Sequence, residues 1–152
     1  KRGGLFLAGV VMAAAIALHN LPEGMVIGAS YAADLAEAGE DGRMMALVIG
    51  LHNIPEGMAV AVPLAAGGAS RGRAVLTTAA AGAPTVLGAV LGFCLGTMGP
   101  GLQMLTLGGA SGAMLYVVFG ELLPESFRLC RSPAPVMAAV LGVLTGMGVV
   151  LG

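Results

Sequence analysis

Five long apolar runs dominate this sequence, and short polar segments separate them. A membrane-spanning helix needs about 20 mostly apolar residues, and here 57% of the 152 residues are hydrophobic while 10% are charged. The runs lack the alternation of strands, and an open sheet cannot pair its backbone groups in lipid. The sequence therefore predicts an all-α, polytopic transmembrane helical bundle that forms one domain over residues 1–152, with spans at about Gly3–Ala33, Arg43–Gly67, Arg73–Thr97, Gly101–Phe127 and Pro133–Gly152.

The basic residues indicate how the spans are oriented. Lysine and arginine concentrate on the cytoplasmic side of membrane proteins. If the first span runs outward, three segments become cytoplasmic together, and these contain Lys1, Arg2, Arg71, Arg73, Arg128 and Arg131. Arg43 is the exception. The opposite face receives the acidic segment 34–41, which we interpret as a solvated loop, with a weakly cation-attracting vestibule as the alternative.

A polar hexapeptide occurs twice inside the apolar spans. HNLPEG covers His19–Gly24, and HNIPEG covers His52–Gly57, 33 residues further along. Ionisable side chains within a membrane span are costly and indicate a functional site by default. A helix turns about 100° per residue, so that His19 and Glu23 point in similar directions, with Asn20 on the other side of the glutamate. A hydrogen bond within one helix would explain one motif, but the duplication favours a shared site.

The chemistry of these side chains predicts a metal site. Imidazole nitrogen together with carboxylate and amide oxygen suits borderline divalent ions such as Zn²⁺, Fe²⁺, Co²⁺ or Mn²⁺. Each glutamate stands between an imidazole and an amide, and could therefore bridge two adjacent ions. Four ligands of the kind that bind zinc come from His19, Glu23, His52 and Glu56, and the two amides are those of Asn20 and Asn53.

A related pattern occurs in the fourth span. ELLPE, residues 121–125, aligns with HNLPE when the proline and the final glutamate are matched, so that Glu121 takes the place of the histidine. We expect Glu121 to join the metal cluster. Glu125 lies one turn nearer the predicted cytoplasmic end, where it marks an exit path or simply meets water. The sequence contains neither a phosphate-binding loop nor a nucleotide fingerprint, and we expect no nucleic-acid partner.

Glycines in the third span predict close packing between helices. Gly88, Gly92 and Gly96 recur at four-residue spacing, which lets two helix backbones approach each other. Packing within the chain is the favoured interpretation, and a homodimer formed through this face is the alternative.

Three other functional classes account for some of these residues. An intramembrane metal-dependent hydrolase would use a metal to activate water, but the sequence lacks HExxH, and no separate general base remains once the glutamates are ligands. A metal-independent proton channel or relay could use the same histidines and glutamates. A purely structural subunit is disfavoured by the duplicated ligands. The favoured interpretation is a transporter of divalent cations, not an enzyme.

The paired hexapeptides and the segment GELLPES resemble the fourth, fifth and seventh membrane helices of the ZIP (Zrt/Irt-like) divalent-metal transporters, especially the bacterial GufA and ZupT-like branch. The resemblance covers the whole chain. It implies the last five of eight spans, with the upstream helices of the same protein as partners. It also implies uptake of Zn²⁺ into the cytoplasm across the bacterial inner (plasma) membrane, with Cd²⁺, Fe²⁺, Mn²⁺ and Co²⁺ as further candidate ions.

The same resemblance implies a binuclear centre in the middle of the membrane, bridged by the glutamates of the two hexapeptides. One metal position would be formed by His19, Glu23, His52 and Glu56, and the next by Asn20, Glu23, Asn53, Glu56 and Glu121.

Overall fold

The structure, a computed structural model, describes residues 2–151, apart from the side chains at positions 121, 122, 125, 129 and 149–151. Its regular elements are all helical within this range, which confirms the predicted all-α class. The helices are α1 (Arg2–Glu37), α2 (Asp41–Ala66), α3 (Arg71–Thr97), α4 (Pro100–Tyr116), α5 (Leu123–Leu129) and α6 (Ala134–Leu151), and a π-helical turn at Val117–Leu122 joins α4 to α5.

The bounds of α1, α2 and α3 lie within several residues of the first three predicted spans. Four helical stretches in the described part of the chain are long and apolar enough to cross a membrane: Arg2–Glu37, Asp41–Ala66, Arg71–Thr97 and Pro100–Gly120. The helix Ala134–Gly148 is apolar but shorter, so that the fifth span stays a prediction.

The fourth predicted span, Gly101–Phe127, is helical throughout but is interrupted by a π turn. At its centre the backbone N–H of Leu123 donates to the carbonyl of Val118, five residues earlier, instead of four. Pro124 explains the change, since it has no N–H to give to the carbonyl of Gly120 and its ring crowds that carbonyl. The helix accordingly widens into a π turn immediately before the proline.

Contacts divide the chain into two compact units, Lys1–Met114 and Leu115–Gly152. The first unit contains α1, α2, α3 and most of α4, and the second contains the π turn, α5 and α6. The grouping of all 152 residues into one transmembrane domain therefore stays a prediction.

Helices α1 and α3 run parallel and interlock through glycines. A Cβ atom added to Gly24 would clash with the carbonyl of Thr85, and one added to Gly88 would clash with the carbonyl of Leu21. Such contacts require bare backbone on both helices. The same close approach continues along the pair at Gly28 against Ala89, Gly92 against Met25 and Gly96 against Ala32. Close packing of the glycines of α3 within the chain is thereby confirmed.

Helices α1 and α2 form an antiparallel hairpin. Gly67, at the end of α2, lies against Phe6 near the start of α1, and at the opposite end Gly42 lies against the ring of Tyr31. The carboxylate of Asp34 accepts the backbone N–H groups of Asp41 (3.0 Å) and Gly42 (2.8 Å). This contact satisfies two free donors of the first turn of α2, and it fixes the short loop that closes the hairpin.

The hairpin and the parallel pair together sort the charges of the first unit. The beginning of α1, the end of α2 and the beginning of α3 meet at one end, which gathers Arg2, Arg71 and Arg73. The acidic segment 34–41 lies at the other end. This separation agrees with the orientation inferred from the basic residues.

Little of the apolar side-chain surface is buried inside the chain. A small core of mostly alanine and valine holds α1, α2 and α3 together, while large side chains such as Leu18, Leu51 and Leu76 are exposed. Exposed leucine is costly in water but not in lipid, where the acyl chains are equally apolar. The outward faces of these helices therefore fit a bilayer.

The interlock predicts the effect of adding one methyl group at Gly88. We expect Gly88→Ala to destabilise the protein by about 1–3 kcal/mol, because the new Cβ forces α3 away from α1. Gly50→Ala is the matched control, since a Cβ at Gly50 meets nothing within 4 Å. Thermal unfolding in detergent measures both variants, and equal melting temperatures for the two would contradict the close contact.

Candidate metal centre

Two histidines and two glutamates converge where the hexapeptides of α1 and α2 face each other. Within each helix the histidine and the glutamate are one turn apart, so that both side chains reach the same point. The ligand atoms of all four residues lie within 4.8 Å of one another. The imidazole-to-carboxylate distances are 3.2 Å for His19 to Glu23, 3.5 Å for His19 to Glu56, 3.5 Å for His52 to Glu23 and 3.3 Å for His52 to Glu56.

These separations match the edges of a zinc coordination tetrahedron. Zinc bonds of about 2.0–2.1 Å, arranged tetrahedrally, hold neighbouring ligand atoms roughly 3.3–3.4 Å apart. Four nitrogen-to-oxygen edges of the cluster lie between 3.2 and 3.5 Å. The other two separations lie within 4.8 Å. The cluster therefore has the ligand types of a zinc site and places all four ligand atoms close enough to surround one ion. A hydrogen bond within each helix, the alternative considered for one motif, does not explain the contacts between the helices.

Each glutamate uses its two oxygens differently. The Oε1 atoms of Glu23 and Glu56 face the two imidazoles. Their Oε2 atoms face the side chain of Asn53: with its nitrogen turned toward them, the amide donates to Glu23 Oε2 at 3.0 Å and to Glu56 Oε2 at 3.3 Å. Turned the other way, the same amide presents its oxygen beside both Oε2 atoms. This arrangement lets the carboxylates bridge two adjacent cation positions.

The side chains of the cluster are more deeply buried on α1 than on α2. The side chain of Glu23 is 2% exposed and that of His19 is 11% exposed, whereas Glu56 is 18% and His52 is 54% exposed. The half of the site on α1 is thus enclosed by α2 and α3, while the histidine on α2 is open.

The amide nitrogen of Asn20 is turned toward α3. Its Nδ2 donates to the backbone carbonyl of Ala81 at 2.9 Å, and the residue is 2% exposed. Its Oδ1 is buried without a hydrogen-bond partner among the described residues. The helical geometry correctly predicts His19 and Glu23 on one face, but the amide that contacts the glutamate oxygens comes from Asn53 on the neighbouring helix.

A small cavity of about 90 Å³ adjoins the cluster. Asn20, Asn53 and Glu56 line it together with Thr78 of α3, whose hydroxyl donates to the carbonyl of Ala74 at 2.8 Å. The cavity has room for several water molecules and offers them polar partners. It therefore provides a hydrated space on the amide side of the carboxylates.

The sequence also predicts roles for two glutamates of the fourth span, Glu121 in the cluster and Glu125 on an exit path. The backbone of Glu121 belongs to the π turn, but the side chains of Glu121 and Glu125 lie outside the described residues. Their membership of the cluster stays a prediction.

Two groups near the cluster have no counterpart in the ligands predicted from the sequence. Ala81 contributes a backbone carbonyl, which no residue type reveals. Thr85, one turn further along α3, has a buried hydroxyl without a partner among the described residues. Both residues continue the row of Gly88, Gly92 and Gly96 by two turns toward the start of α3. Extending this four-residue spacing along the sequence could have predicted both contacts.

Comparisons with known proteins identify the family of this chain. Residues 2–152 match the family described as ZIP zinc transporters. The zinc transporter GufA of Myxococcus xanthus is 40% identical over 114 residues, which are 75% of this chain and 44% of that protein. The chain thus spans less than half the length of this relative. No solved structure gives a significant match. From residue 2 to its last residue, this chain belongs to the ZIP zinc transporter family.

Proposed function

We propose that this protein transports Zn²⁺ and related divalent cations across the membrane toward the cytoplasm, through the His/Asn/Glu cluster between α1 and α2. One observation carries the proposal: the ligand atoms of His19, Glu23, His52 and Glu56 converge within 4.8 Å of one another inside apolar helices. Family membership and the likeness to a zinc transporter support the same substrate.

The proposed mechanism uses two neighbouring ion positions. In the first, an ion is bound by the two imidazoles and by Oε1 of Glu23 and Glu56. In the second, it is bound by the Oε2 atoms of the same glutamates and by amide oxygens from Asn20 and Asn53. Because the carboxylates belong to both positions, an ion moves between them by exchanging one ligand after another. It therefore never has to leave all of its ligands at once inside the apolar interior.

Glu121 and Glu125 belong to the proposal through the motif GELLPES. Glu121 would complete the second position, and Glu125 would receive the ion on its way out. We further propose that helices of the same protein beyond this chain complete the pathway, in line with the greater length of the GufA relative. The proposed location is the bacterial inner membrane. A homodimer stays an alternative arrangement.

The ligand set favours Zn²⁺ and its neighbours in the transition series over Mg²⁺ or Ca²⁺. Two imidazoles lower the preference for hard cations, which select oxygen cages. Fe²⁺, Mn²⁺, Co²⁺ and Cd²⁺ accept the same donors and are the expected competitors. The site has no thiolate, and this allows an ion to leave more readily than from a structural zinc site.

The contacts of the glutamates argue against metal-dependent hydrolysis. In such enzymes a carboxylate that is not a ligand accepts a proton from the metal-bound water. In the described cluster, Glu23 and Glu56 each contact both imidazoles, and both would therefore serve as ligands of an ion bound there. The transporter family to which the chain belongs points the same way.

The shared role of Glu23 leads to a test by substitution. Glu23→Gln should weaken the binding of Zn²⁺ at both positions and reduce zinc uptake into liposomes by more than about 100-fold, since even indirect partners of metal ligands cost 10–100-fold. Glu37→Gln, at the exposed end of the same helix, is the matched control and should transport normally. Undiminished uptake by Glu23→Gln would rule out the mechanism.

Glu121 leads to a different outcome, because it is proposed for one position alone. Glu121→Gln should reduce the number of bound ions from two to one, while the affinity of the first ion stays within about twofold. Elemental analysis and the anomalous scattering of Cd²⁺ in crystals measure the number of ions. Two fully occupied positions in Glu121→Gln would remove Glu121 from the ligand set.

The proposed direction of transport depends on the orientation of the chain in the membrane. Chemical labelling of Cys130 from either side measures that orientation. This cysteine is exposed and lies between Arg128 and Arg131, in a segment predicted to be cytoplasmic. With Cys94 changed to serine, a membrane-impermeant maleimide should modify Cys130 in inside-out vesicles but not in intact cells. Modification from outside the cell would reverse the orientation.

A further inference from the structure

The two asparagines of the repeated hexapeptide occupy equivalent positions in the sequence but make different contacts. Asn20 donates to the carbonyl of Ala81 on α3 at 2.9 Å. Asn53 instead meets the Oε2 atoms of Glu23 and Glu56 at 3.0 and 3.3 Å. The two amides therefore differ in what holds them.

We propose that α3 is the positioning element of the metal centre: the carbonyl of Ala81 fixes the orientation of Asn20, whereas Asn53 turns its amide when an ion arrives. This inference rests on the proposed function. It assigns a role to a helix that has no histidine, glutamate or asparagine, and it gives different tasks to the two amides.

The chemistry of an amide explains why Ala81 can determine the orientation of Asn20. The amide nitrogen can only donate, and the amide oxygen can only accept. A carbonyl opposite the side chain must therefore face Nδ2, which leaves Oδ1 as the atom that an ion can bind. A carboxylate at this position would set an acceptor against an acceptor in a buried place.

The close approach of the helices makes this contact available. An asparagine side chain is short, and it reaches the backbone of another helix only when the two helices nearly touch. One turn further along, Gly24 of α1 lies directly on the carbonyl of Thr85, and Gly88 of α3 lies on the carbonyl of Leu21. The glycine interlock thus holds Ala81 in reach of Asn20.

The unpartnered oxygen of Asn20 points to a ligand. A buried amide oxygen without a hydrogen bond is unfavourable and rare, and Oδ1 of Asn20 has no partner among the described residues. Asn20 also lines the small polar cavity that Asn53 and Glu56 share. A cation in this cavity, or a water molecule bound to it, would provide the missing partner of Oδ1.

Asn53 is suited to the opposite behaviour. Without an ion, its nitrogen can donate to both carboxylates and reduce their repulsion. With an ion between the carboxylates, the amide oxygen of Asn53 is favoured over the nitrogen as the atom that faces them, because three oxygens then surround the cation. A half-turn of the amide interchanges the two states without moving either helix, and the partly exposed position of Asn53 leaves space for it.

The composition of the chain allows a direct test, since Asn20 and Asn53 are its only asparagines. Labelling asparagine side chains with ¹⁵N gives two amide signals, and Asn53→Asp leaves that of Asn20 alone, which assigns both. We expect the Asn20 protons to exchange with water at least about tenfold more slowly than those of Asn53, as a buried hydrogen bond requires. Adding Zn²⁺ should shift the Asn53 signal and leave the protection of Asn20 in place.

Zinc titration of variants gives an independent readout. Asn20→Asp should weaken the second Zn²⁺ at least about tenfold, since its carboxylate cannot donate to Ala81. Asn53→Asp should tighten it, because a carboxylate is a stronger ligand than an amide and the metal-free cluster loses its donor. Gln103→Glu, the same type of change on α4, is the control and should bind zinc as the unchanged protein does.

The outcomes separate this inference from the proposed function. If the unchanged protein binds Zn²⁺ but the Asn20 protons exchange as fast as those of Asn53, or if Asn20→Asp binds two ions as tightly, the positioning role of α3 is overturned. If the unchanged protein binds no Zn²⁺, the proposed function fails and this inference fails with it. If Asn20→Asp does not fold, the exchange measurement on the unchanged protein and on Asn53→Asp decides.

Discussion

Two carboxylates held side by side inside apolar helices are the constraint on which the rest of this site depends. Glu23 is almost completely buried and Glu56 mostly so, and like charges repel strongly where water is scarce. The surrounding contacts all reduce that repulsion: imidazoles stand at one pair of oxygens, and Asn53 stands at the other. The same repulsion makes the site attractive to a dication, which would offset both charges at once. The repulsion between the two carboxylates would thus contribute directly to the affinity of the site for a cation.

The glycines of α1 and α3 supply the rigidity that such an arrangement needs. Charges that repel each other would move apart if the surrounding helices could separate. The α1–α3 contact is made by backbone atoms, and no side chain between the two helices can rearrange. On helix α2, at the level of the cluster, the side chain of His52 is 54% exposed. One wall of the site is therefore fixed by backbone contact, while the other wall carries the open histidine and the amide that can turn.

Sequence reasoning succeeded where residue type determines geometry. Apolar length predicts the helices, the one-turn spacing of His19 and Glu23 predicts their shared face, and four-residue glycine spacing predicts close packing. It missed interactions that no side chain reveals. The carbonyl of Ala81 accepts the amide N–H of Asn20 across a contact between helices, and helix-wheel geometry of α1 alone cannot predict such a contact. The π turn before Pro124 was missed for a related reason: proline predicts a disturbed helix, but it does not say whether the backbone bends or widens.

The antiparallel hairpin has a consequence for how an ion meets the site. Because α1 and α2 carry the same motif in opposite directions, each histidine lies across from the glutamate of the other helix, and the quartet has an approximate two-fold axis in the plane of the membrane. Ions arriving from either side of the bilayer would encounter the same first ligands, much as in transporters built from inverted repeats. The ligand quartet itself has no preferred direction. Directionality has to come from the groups that break the symmetry, such as Asn20 and Asn53 with their different contacts and the opposite charges at the two ends of the hairpin.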